Sequence, residues 1–240
     1  MLNYKELKNK ARDFLAATGL TVEEFQKLLT PFESAYEKLY PLSKTFEGKP
    51  RLRRKGGGAR GLLHSFADRL LLILVYQKTN PLQTMHGLQF GLSQPQTNYW
   101  IHRLLPVLKQ ALAEMGHQPQ RDGRLVATSP LMRESVPDLA IDGTERERQR
   151  PKDEIKQKEH YSGKKKAHSD KNLILINENT GKVIYLGPTT VGKTHDKKMA
   201  DSEQITYPLG ARLDKDTGFQ GYEPAGVITQ QPKKSPEEKS

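Results

Sequence analysis

The sequence predicts a mixed α/β protein of the α+β class, with an all-helical N-terminal part followed by a mixed β-sheet. Apolar residues recur at helical spacing up to Gly116, and short strand-like runs separated by turn residues replace them afterwards. We expect five segments: an N-terminal helical segment (1–45), a basic Gly-rich linker (46–62), a helix-turn-helix domain (63–116), a second linker (117–134) and a sheet domain (135–240).

The composition excludes several kinds of site and favours an acidic polymer as partner. The 240 residues carry a net charge of +11, which is typical of nucleic-acid-binding proteins, although a basic ribosome-associated protein is the alternative. The absence of cysteine excludes disulfides, thiolate metal sites and cysteine nucleophiles. The N-terminus lacks the pattern of a secretory signal, and the longest apolar run, at 70–76, is shorter than the roughly 20 residues that span a bilayer. We therefore expect a cytoplasmic protein.

Two helices are predicted before residue 40, and a basic arm follows them. The second helix opens at "TVEEF", where Thr21 and Glu24 can form a capping box. The stretch "GKPRLRRKGGGARG" is rich in basic residues, which include Arg51, Arg53, Arg54, Lys55 and Arg60. It is either a solvated flexible loop or an arm that lies along phosphates.

Residues 63–116 predict a helix-turn-helix unit. Ser65 can cap an apolar helix that ends near Asn80, and a short amphipathic segment then leads to a turn at Gly91. Ser93 can cap the next helix, with Pro95 in its first turn.

Polar residues near the start of that last helix are candidates for contacts with base edges or phosphates in a DNA groove. The candidate DNA-binding residues are Ser93, Gln94, Gln96, Thr97, Asn98, Tyr99 and Arg103. The alternative is a plain three-helix bundle with a polar face.

The sheet domain places acids at the ends of predicted strands. "VPDLAID" predicts a buried strand that ends at Asp142, and "NLILI" and "VIYLG" form a hairpin around "NENTGK". After a helix-like segment at 194–206, "LGARLDKDTGF" predicts a strand that runs into Asp214 and Asp216. A mixed sheet can bring these strand ends together, which is the arrangement that a divalent metal site needs. An isolated Asp before Gly is nonetheless more often a turn residue.

Several linked motifs carry a family resemblance. "LAIDGTERERQRP", "HYSGKKKAH", "HDKKMAD" and "DTGFQGY" resemble, in this order and spacing, the catalytic core of the DDE transposases of bacterial insertion sequences. The helix-turn-helix stretch resembles the domain that precedes that core in the same family. The resemblance covers roughly residues 60–233 and implies an RNase H-like fold that binds a pair of Mg²⁺ (or Mn²⁺) ions through three acids.

The resemblance also assigns residues. It implies Asp142 and Asp216 as catalytic metal ligands, with Asp214 as a strand neighbour. Asp196 in "HDKKMAD" is a third metal candidate, or a residue that caps its helix and supports the site. Three lysines of the "YSGKKK" stretch are candidate phosphate contacts or else a solvated strand edge: Lys164, Lys165 and Lys166.

The family's third acid lies in a helix beyond "QQPKK", whereas this sequence ends at "KKSPEEKS". Ser235, Pro236 and Glu238 have the pattern of a helix start, so the expected product is a truncated transposase with an incomplete RNase H-like domain. Glu237 and Glu238 are poor substitutes in a frayed terminus.

Three functions stay open at this point. The first is a transposase that cleaves DNA at the element ends and joins the freed 3′ hydroxyl to target DNA. The second is an inactive form that only binds DNA, as a repressor or remnant, and the third is a basic RNA-binding protein. The expected partners are double-stranded DNA, through terminal inverted repeats and target DNA, and a second copy in an active homodimer. The expected location is the cytoplasm, in association with the nucleoid, with no membrane contact.

Overall fold

The structure is a computed structural model that describes residues 1–44, 48–50, 52, 62–132 and 137–232. The chain forms two compact units, Met1–His117 and Gln118–Ser240. The predicted basic arm, with Arg51, Arg53, Arg54, Lys55 and Arg60, lies outside the described residues, as does the predicted helix start at Ser235.

The first unit is all-helical, as predicted. Its helices are α1 (Tyr4–Leu7), α2 (Ala11–Thr18), α3 (Val22–Leu39), α4 (Phe66–Thr79), α5 (Gln83–Phe90) and α6 (Gln94–Glu114). Three helices rather than two precede residue 40, since the first predicted helix is divided into α1 and α2 at residues 8–10. Gly19, in a left-handed conformation (φ 74°), ends α2 before the predicted start of α3. The capping box of Thr21 and Glu24 forms at the start of α3, as predicted.

The helix-turn-helix consists of α5 and α6. Gly91 ends α5 with a positive φ of 70°, and Ser93 caps α6 through a capping box with Gln96. The two helices approach closely at Gly87, where a Cβ would lie 2.5 Å from the carbonyl oxygen of Leu92. A glycine is therefore required at this position for α5 and α6 to pack as they do.

The N-terminal helices and the helix-turn-helix share one hydrophobic core. Phe14, Phe25 and Phe32 are fully buried, and the same cluster includes Leu70 to Ile73 of α4 and Leu104 of α6. Residues 1–40 are thus an integral part of the helical unit, which explains why all six consecutive residues from Leu70 to Val75 of α4 are apolar and buried.

The second unit contains a mixed sheet. Its strands are β1 (Asp138–Glu147), β2 (Tyr161–Ser162), β3 (Ala167–Asn177), β4 (Lys182–Leu186), β5 (Thr190–Val191), β6 (Arg212–Lys215) and β7 (Ile228–Gln230). Its helices are α7 (Glu154–His160) and α8 (Asp196–Glu203), with short 3₁₀ helices at Gly123–Thr128, Pro130–Met132 and Thr217–Phe219.

Antiparallel and parallel pairs meet at β1. The strands follow the order β2-β3-β1-β6-β7, and β4 and β5 also pair with β3. β1 is antiparallel to β3 and parallel to β6, which is in turn parallel to β7. The predicted hairpin is confirmed as β3 and β4, and the predicted strand before Asp216 is confirmed as β6.

One prediction for this unit was wrong in detail. β1 does not end at Asp142 but continues to Glu147, because residues 143–147 keep their pairing with β3. The charged segment after β1 contains a helix, α7, which Asp153 caps by accepting a hydrogen bond from the backbone of Lys156. Its high charge concealed it, since none of its residues is buried.

No helix in the described ranges combines the length and the apolar character that crossing a membrane would require.

Candidate active site and DNA-binding surface

Asp142 lies on β1, and Asp216 directly follows β6, the adjacent parallel strand. The register of β1 and β6 pairs Ile141 with Lys215, and each aspartate is the next residue along its strand direction. Asp216 follows the end of β6, where its Oδ1 accepts a hydrogen bond from the backbone of Gly218 at 2.8 Å. Asp142 Oδ1 accepts one from the backbone of Gly143 at 2.7 Å. The fold therefore brings these two predicted residues together.

The pleat of β1 and β6 places the side chains of the acids on one face of the sheet. Successive side chains point to opposite faces, and Ile141 and Lys215 are buried whereas Asp142 and Asp214 are exposed. Asp142, Asp214 and Asp216 line the same open cleft of about 540 Å³, together with Gln230 and Gln231 of the β7 region. Asp214 is thus closer to the candidate site than its sequence position alone indicated.

Asp196 contacts the other face of the sheet. It is the first residue of α8, and a Cβ on Gly143 would lie 2.5 Å from its Oδ1. Because Gly143 shares a face with Ile141, the Asp196 carboxylate lies on the face opposite Asp142. A Cβ on Gly218 would lie 2.9 Å from Asp196 Oδ2 and 3.0 Å from Asp216 Oδ1, so Asp196 also approaches the second acid.

A buried lysine holds Asp196 there. Lys171 Nζ lies 3.1 Å from Asp196 Oδ1 and 3.1 Å from Glu145 Oε1, and it donates to the carbonyl oxygen of Thr194 at 3.2 Å. The side chains of Lys171 and Glu145 are only 9% and 7% exposed. All three donors of the ammonium group therefore have acceptors.

This pairing keeps Lys171 and Glu145 charged inside the protein. Burial would lower the pKa of Lys171, but the hydrogen bonds and charges of Asp196 and Glu145 raise it above its usual value. Burial would likewise raise the pKa of Glu145, but hydrogen bonds from Ser162, Lys171 and Ser169 lower it. Lys171 was not predicted as a site residue. The sequence contains a signal for it, because Lys171, Leu173 and Leu175 alternate along one buried face of β3.

A second cleft adjoins Asp216. It has a volume of about 330 Å³, and its lining includes Asp196, Lys164, Lys193 and His195. Lys164 lies in the turn between β2 and β3, and Lys193 and His195 lie just before α8. Lys165 and Lys166 are exposed in the same turn as Lys164 but are not among the residues that line this cleft. The three predicted lysines therefore differ in their relation to the site.

The donors at this site fit a hard divalent cation. Carboxylate oxygens are the ligands that Mg²⁺ and Mn²⁺ prefer, and Asp142 and Asp216 present two of them on one cleft. Across the part of the chain that the structure describes, no three acidic or imidazole side chains converge as a metal-binding group. Asp142 and Asp216 would thus supply part of a coordination shell.

The predicted DNA-binding residues of α6 fall into two groups. Ser93, Gln94, Gln96 and Tyr99 are exposed, and Asn98 is half-buried. Gln83 of α5, which was not predicted, accepts hydrogen bonds from Gln94 at 2.7 Å and from Asn98 at 3.2 Å. These side chains form a polar surface at the N-terminal end of α6.

Thr97 and Arg103 are not part of this exposed polar surface. Thr97 is fully buried, and its hydroxyl donates to the carbonyl oxygen of Ser93, so its assignment as a DNA contact is corrected. Arg103 is half-buried, donates to the Tyr36 hydroxyl at 2.9 Å and stacks 3.7 Å from the ring centroid of Tyr40. Helical packing turns both residues toward the core, which their sequence distance from Ser93 did not reveal.

The helix-turn-helix and the sheet that carries Asp142 and Asp216 each lie within a region that matches a known protein family. Residues 62–114 match the family model for the helix-turn-helix of DDE superfamily endonucleases, and residues 141–239 match the model for the DDE superfamily endonuclease itself.

The chain is also 23% identical over 223 residues to a protein of Microchaete diplosiphon described as a probable transposase for insertion sequence element IS702. That alignment covers 93% of this chain and 75% of the relative. No solved structure matches the chain. The chain belongs to the DDE-class insertion-sequence transposases, a membership that implies DNA as partner and a divalent metal as cofactor.

Proposed function

We propose that the chain performs metal-dependent cleavage of DNA strands at the ends of an insertion sequence and transfer of those ends to target DNA. The observation that carries this proposal is the placement of Asp142 on β1 and of Asp216 directly after β6, the adjacent parallel strand, where they line one open cleft. The mixed order of antiparallel and parallel strands around β1 supports an RNase H-like character for the sheet.

Asp142 and Asp216 would hold the divalent cation, which is Mg²⁺ or Mn²⁺ in this proposal. When bound, such a cation activates an attacking water or 3′ hydroxyl and stabilises the leaving oxygen of a phosphodiester. The protein's own contribution is to fix the two carboxylates. Each accepts a hydrogen bond from a nearby backbone amide, which limits its rotation before any ligand binds.

Positive side chains near Asp216 would bind the DNA backbone. Lys164 and Lys193 are exposed, approach the second cleft from two different loops, and would contact phosphates of the strand that reaches Asp216. Lys165 and Lys166 would add a more diffuse attraction from the same turn as Lys164.

The exposed polar surface of α6 would recognise the terminal inverted repeats, with Ser93, Gln94, Gln96, Asn98 and Tyr99 as its contacts. Joining two ends to target DNA requires two copies of the chain, so the active form would be a homodimer associated with the nucleoid.

A second function is a form that binds DNA without cutting it. One observation favours it. Among the described residues, the carboxylates that line the first cleft are those of Asp142, Asp214 and Asp216. Asp196 is instead paired with Lys171 on the other face of the sheet. Such a protein would occupy the element ends through α6 and act as a repressor.

One cleavage experiment separates the two functions. The purified chain is incubated with Mn²⁺ or Mg²⁺ and a plasmid that carries its gene together with the flanking DNA, and strand breaks are mapped. We expect breaks at the element ends, reduced at least about 10²-fold in Asp142→Asn and in Asp216→Asn. The matched control is Asp201→Asn, which removes an exposed carboxylate on α8.

End-specific binding without breaks in the unsubstituted chain would establish the binding-only function. Breaks that persist at full rate in both aspartate variants would refute the assignment of the site.

A further inference from the structure

We infer that Lys171 and Asp196 form a positioning pair for the two acids of the proposed metal site and that Asp196 does not bind the cation that Asp142 and Asp216 would hold in the first cleft. This inference rests on the proposed function, because it concerns how Asp142 and Asp216 are held. Its evidence is a set of contacts on the face of the sheet opposite the first cleft.

The first step concerns the fit of Asp196 against the backbone. Its carboxylate lies so close to Gly143 and Gly218 that a Cβ on either glycine would approach it within 3 Å, at 2.5 and 2.9 Å. Gly143 directly follows Asp142, and Gly218 donates the backbone hydrogen bond that Asp216 accepts. Asp196 thus touches the backbone beside both candidate ligands. A shift of its carboxylate would be transmitted to β1 and to the segment that directly follows β6, since packed elements move together.

The second step concerns what fixes Asp196. The ammonium group of Lys171 contacts Asp196 of α8, Glu145 of β1 and the carbonyl oxygen of Thr194 in the loop before α8. One ammonium group therefore ties the helix to the strand that carries Asp142. Because the pair is almost fully buried, it lacks the solvent screening that weakens exposed ion pairs.

The third step separates positioning from ligation. The Asp142 carboxylate and the Asp196 carboxylate lie on opposite faces of β1, so a single cation at the first cleft cannot be reached by both without a change in the strand. In addition, Asp196 Oδ1 already accepts a hydrogen bond from Lys171 at 3.1 Å. Asp196 acts through the backbone, as residues behind a metal ligand do.

The test measures Mn²⁺ affinity of the full chain by electron paramagnetic resonance, independently of DNA cleavage. We expect Lys171→Met to weaken Mn²⁺ binding about 10- to 100-fold, the range that is usual when a group behind the ligands is removed. In cleavage assays the same variant should lower kcat and leave KM for DNA nearly unchanged. Asp201→Asn, which breaks an exposed pair on the same helix, is the matched control and should bind Mn²⁺ like the unsubstituted chain.

A pair of substitutions at Asp196 gives a second, independent test. Asn keeps the shape of the side chain and an oxygen that accepts from Lys171, whereas Ala keeps neither. We therefore expect Asp196→Asn to retain most of the Mn²⁺ affinity that Asp196→Ala loses. If Asp196 were a ligand, both variants would lose affinity alike, and this comparison stands even if Lys171→Met fails to fold.

Two outcomes would overturn the inference while leaving the proposed function intact. The first is Mn²⁺ binding that is unchanged or tighter in Lys171→Met. The second is an equal loss of Mn²⁺ affinity in Asp196→Asn and Asp196→Ala. Both outcomes count only if Asp142→Asn abolishes Mn²⁺ binding. Absence of Mn²⁺ binding by the unsubstituted chain would instead refute both the inference and the metal-dependent function.

Discussion

The charged residues on the two faces of the sheet at β1 and β6 differ in their exposure to solvent and in their pairing. On one face Asp142, Asp214 and Asp216 are exposed along an open cleft. On the other face Lys171 is buried, and it pairs with the largely buried side chains of Glu145 and Asp196. A group of exposed like charges is unfavourable for stability but suits the binding of a cation, whereas a compensated buried group stabilises a single arrangement. In the function proposed above, the first face would bind the cation and the second would support its ligands.

The largest effect on stability is expected on the buried face, for Lys171→Met. The substitution leaves Glu145 and Asp196 buried without their cation, and breaking a buried pair in this way costs about 3–5 kcal/mol. Denaturant unfolding should show this loss, while Lys197→Ala, which breaks an exposed pair, should change the free energy of unfolding by less than about 0.5 kcal/mol. Equal effects of the two substitutions would remove the proposed contrast between the faces.

Gly143→Ala should have the next largest effect. Its Cβ would meet Asp196 Oδ1 at 2.5 Å and Asp196 Cγ at 2.9 Å, so the carboxylate must move away from Lys171. Overpacking of this kind costs about 1–3 kcal/mol. Gly163→Ala is the control, because no atom lies within 4 Å of its added Cβ. A neutral Gly143→Ala in thermal unfolding would mean that Asp196 moves freely and does not fix the backbone.

The pH dependence of stability should distinguish two glutamates of this unit. The pKa of Glu145 is lowered from its usual 4.5, so its contribution is present at neutral pH and is lost as the pH falls through its folded value. Burial raises the pKa of Glu203 above the same 4.5, so the folded state keeps that proton longer and stability falls as the pH rises.

Glu145→Gln should therefore flatten the acid side of a plot of unfolding free energy against pH. Glu203→Gln should remove a decline above about pH 4.5 and leave the acid side unchanged. Identical profiles for the two variants would show that the two carboxylates are in equivalent surroundings.

Much of this arrangement could be predicted from the sequence, because it depends on local signals. The caps of α3, α4 and α6, the hairpin of β3 and β4, and the short strand before Asp216 follow from residue type and spacing. The motifs around Asp142 and Asp216 also indicated the family before any contact was known.

The remaining features depend on contacts between distant parts of the chain. Lys171 pairs with Asp196, 25 residues away, and Glu145 faces Lys171 only because β1 and β3 adopt one particular register. Thr97 is buried because of its position around the axis of α6 and its packing on the core. Arg103 contacts Tyr36 of α3 and Tyr40, which directly follows α3. The distance of these residues from Ser93 in the sequence does not reveal either arrangement. The sequence therefore could not show which face of β1 is in contact with Asp196.

The smallest effect on stability is expected for exposed cations that line the second cleft, and their effect on DNA binding sharpens the contrast. The double variant Lys164→Gln and Lys193→Gln should change the unfolding free energy by no more than about 0.5 kcal/mol, since neither side chain is buried. If both lysines contact phosphates, a plot of log binding constant against log salt concentration should lose about 0.9 in slope for each contact. The matched variant Lys165→Gln and Lys166→Gln removes the same charge from residues that do not line the cleft and should change the slope less. Equal slopes for the two double variants would show that the turn attracts DNA only through its overall charge, and the second cleft would then have no specific role in holding the strand.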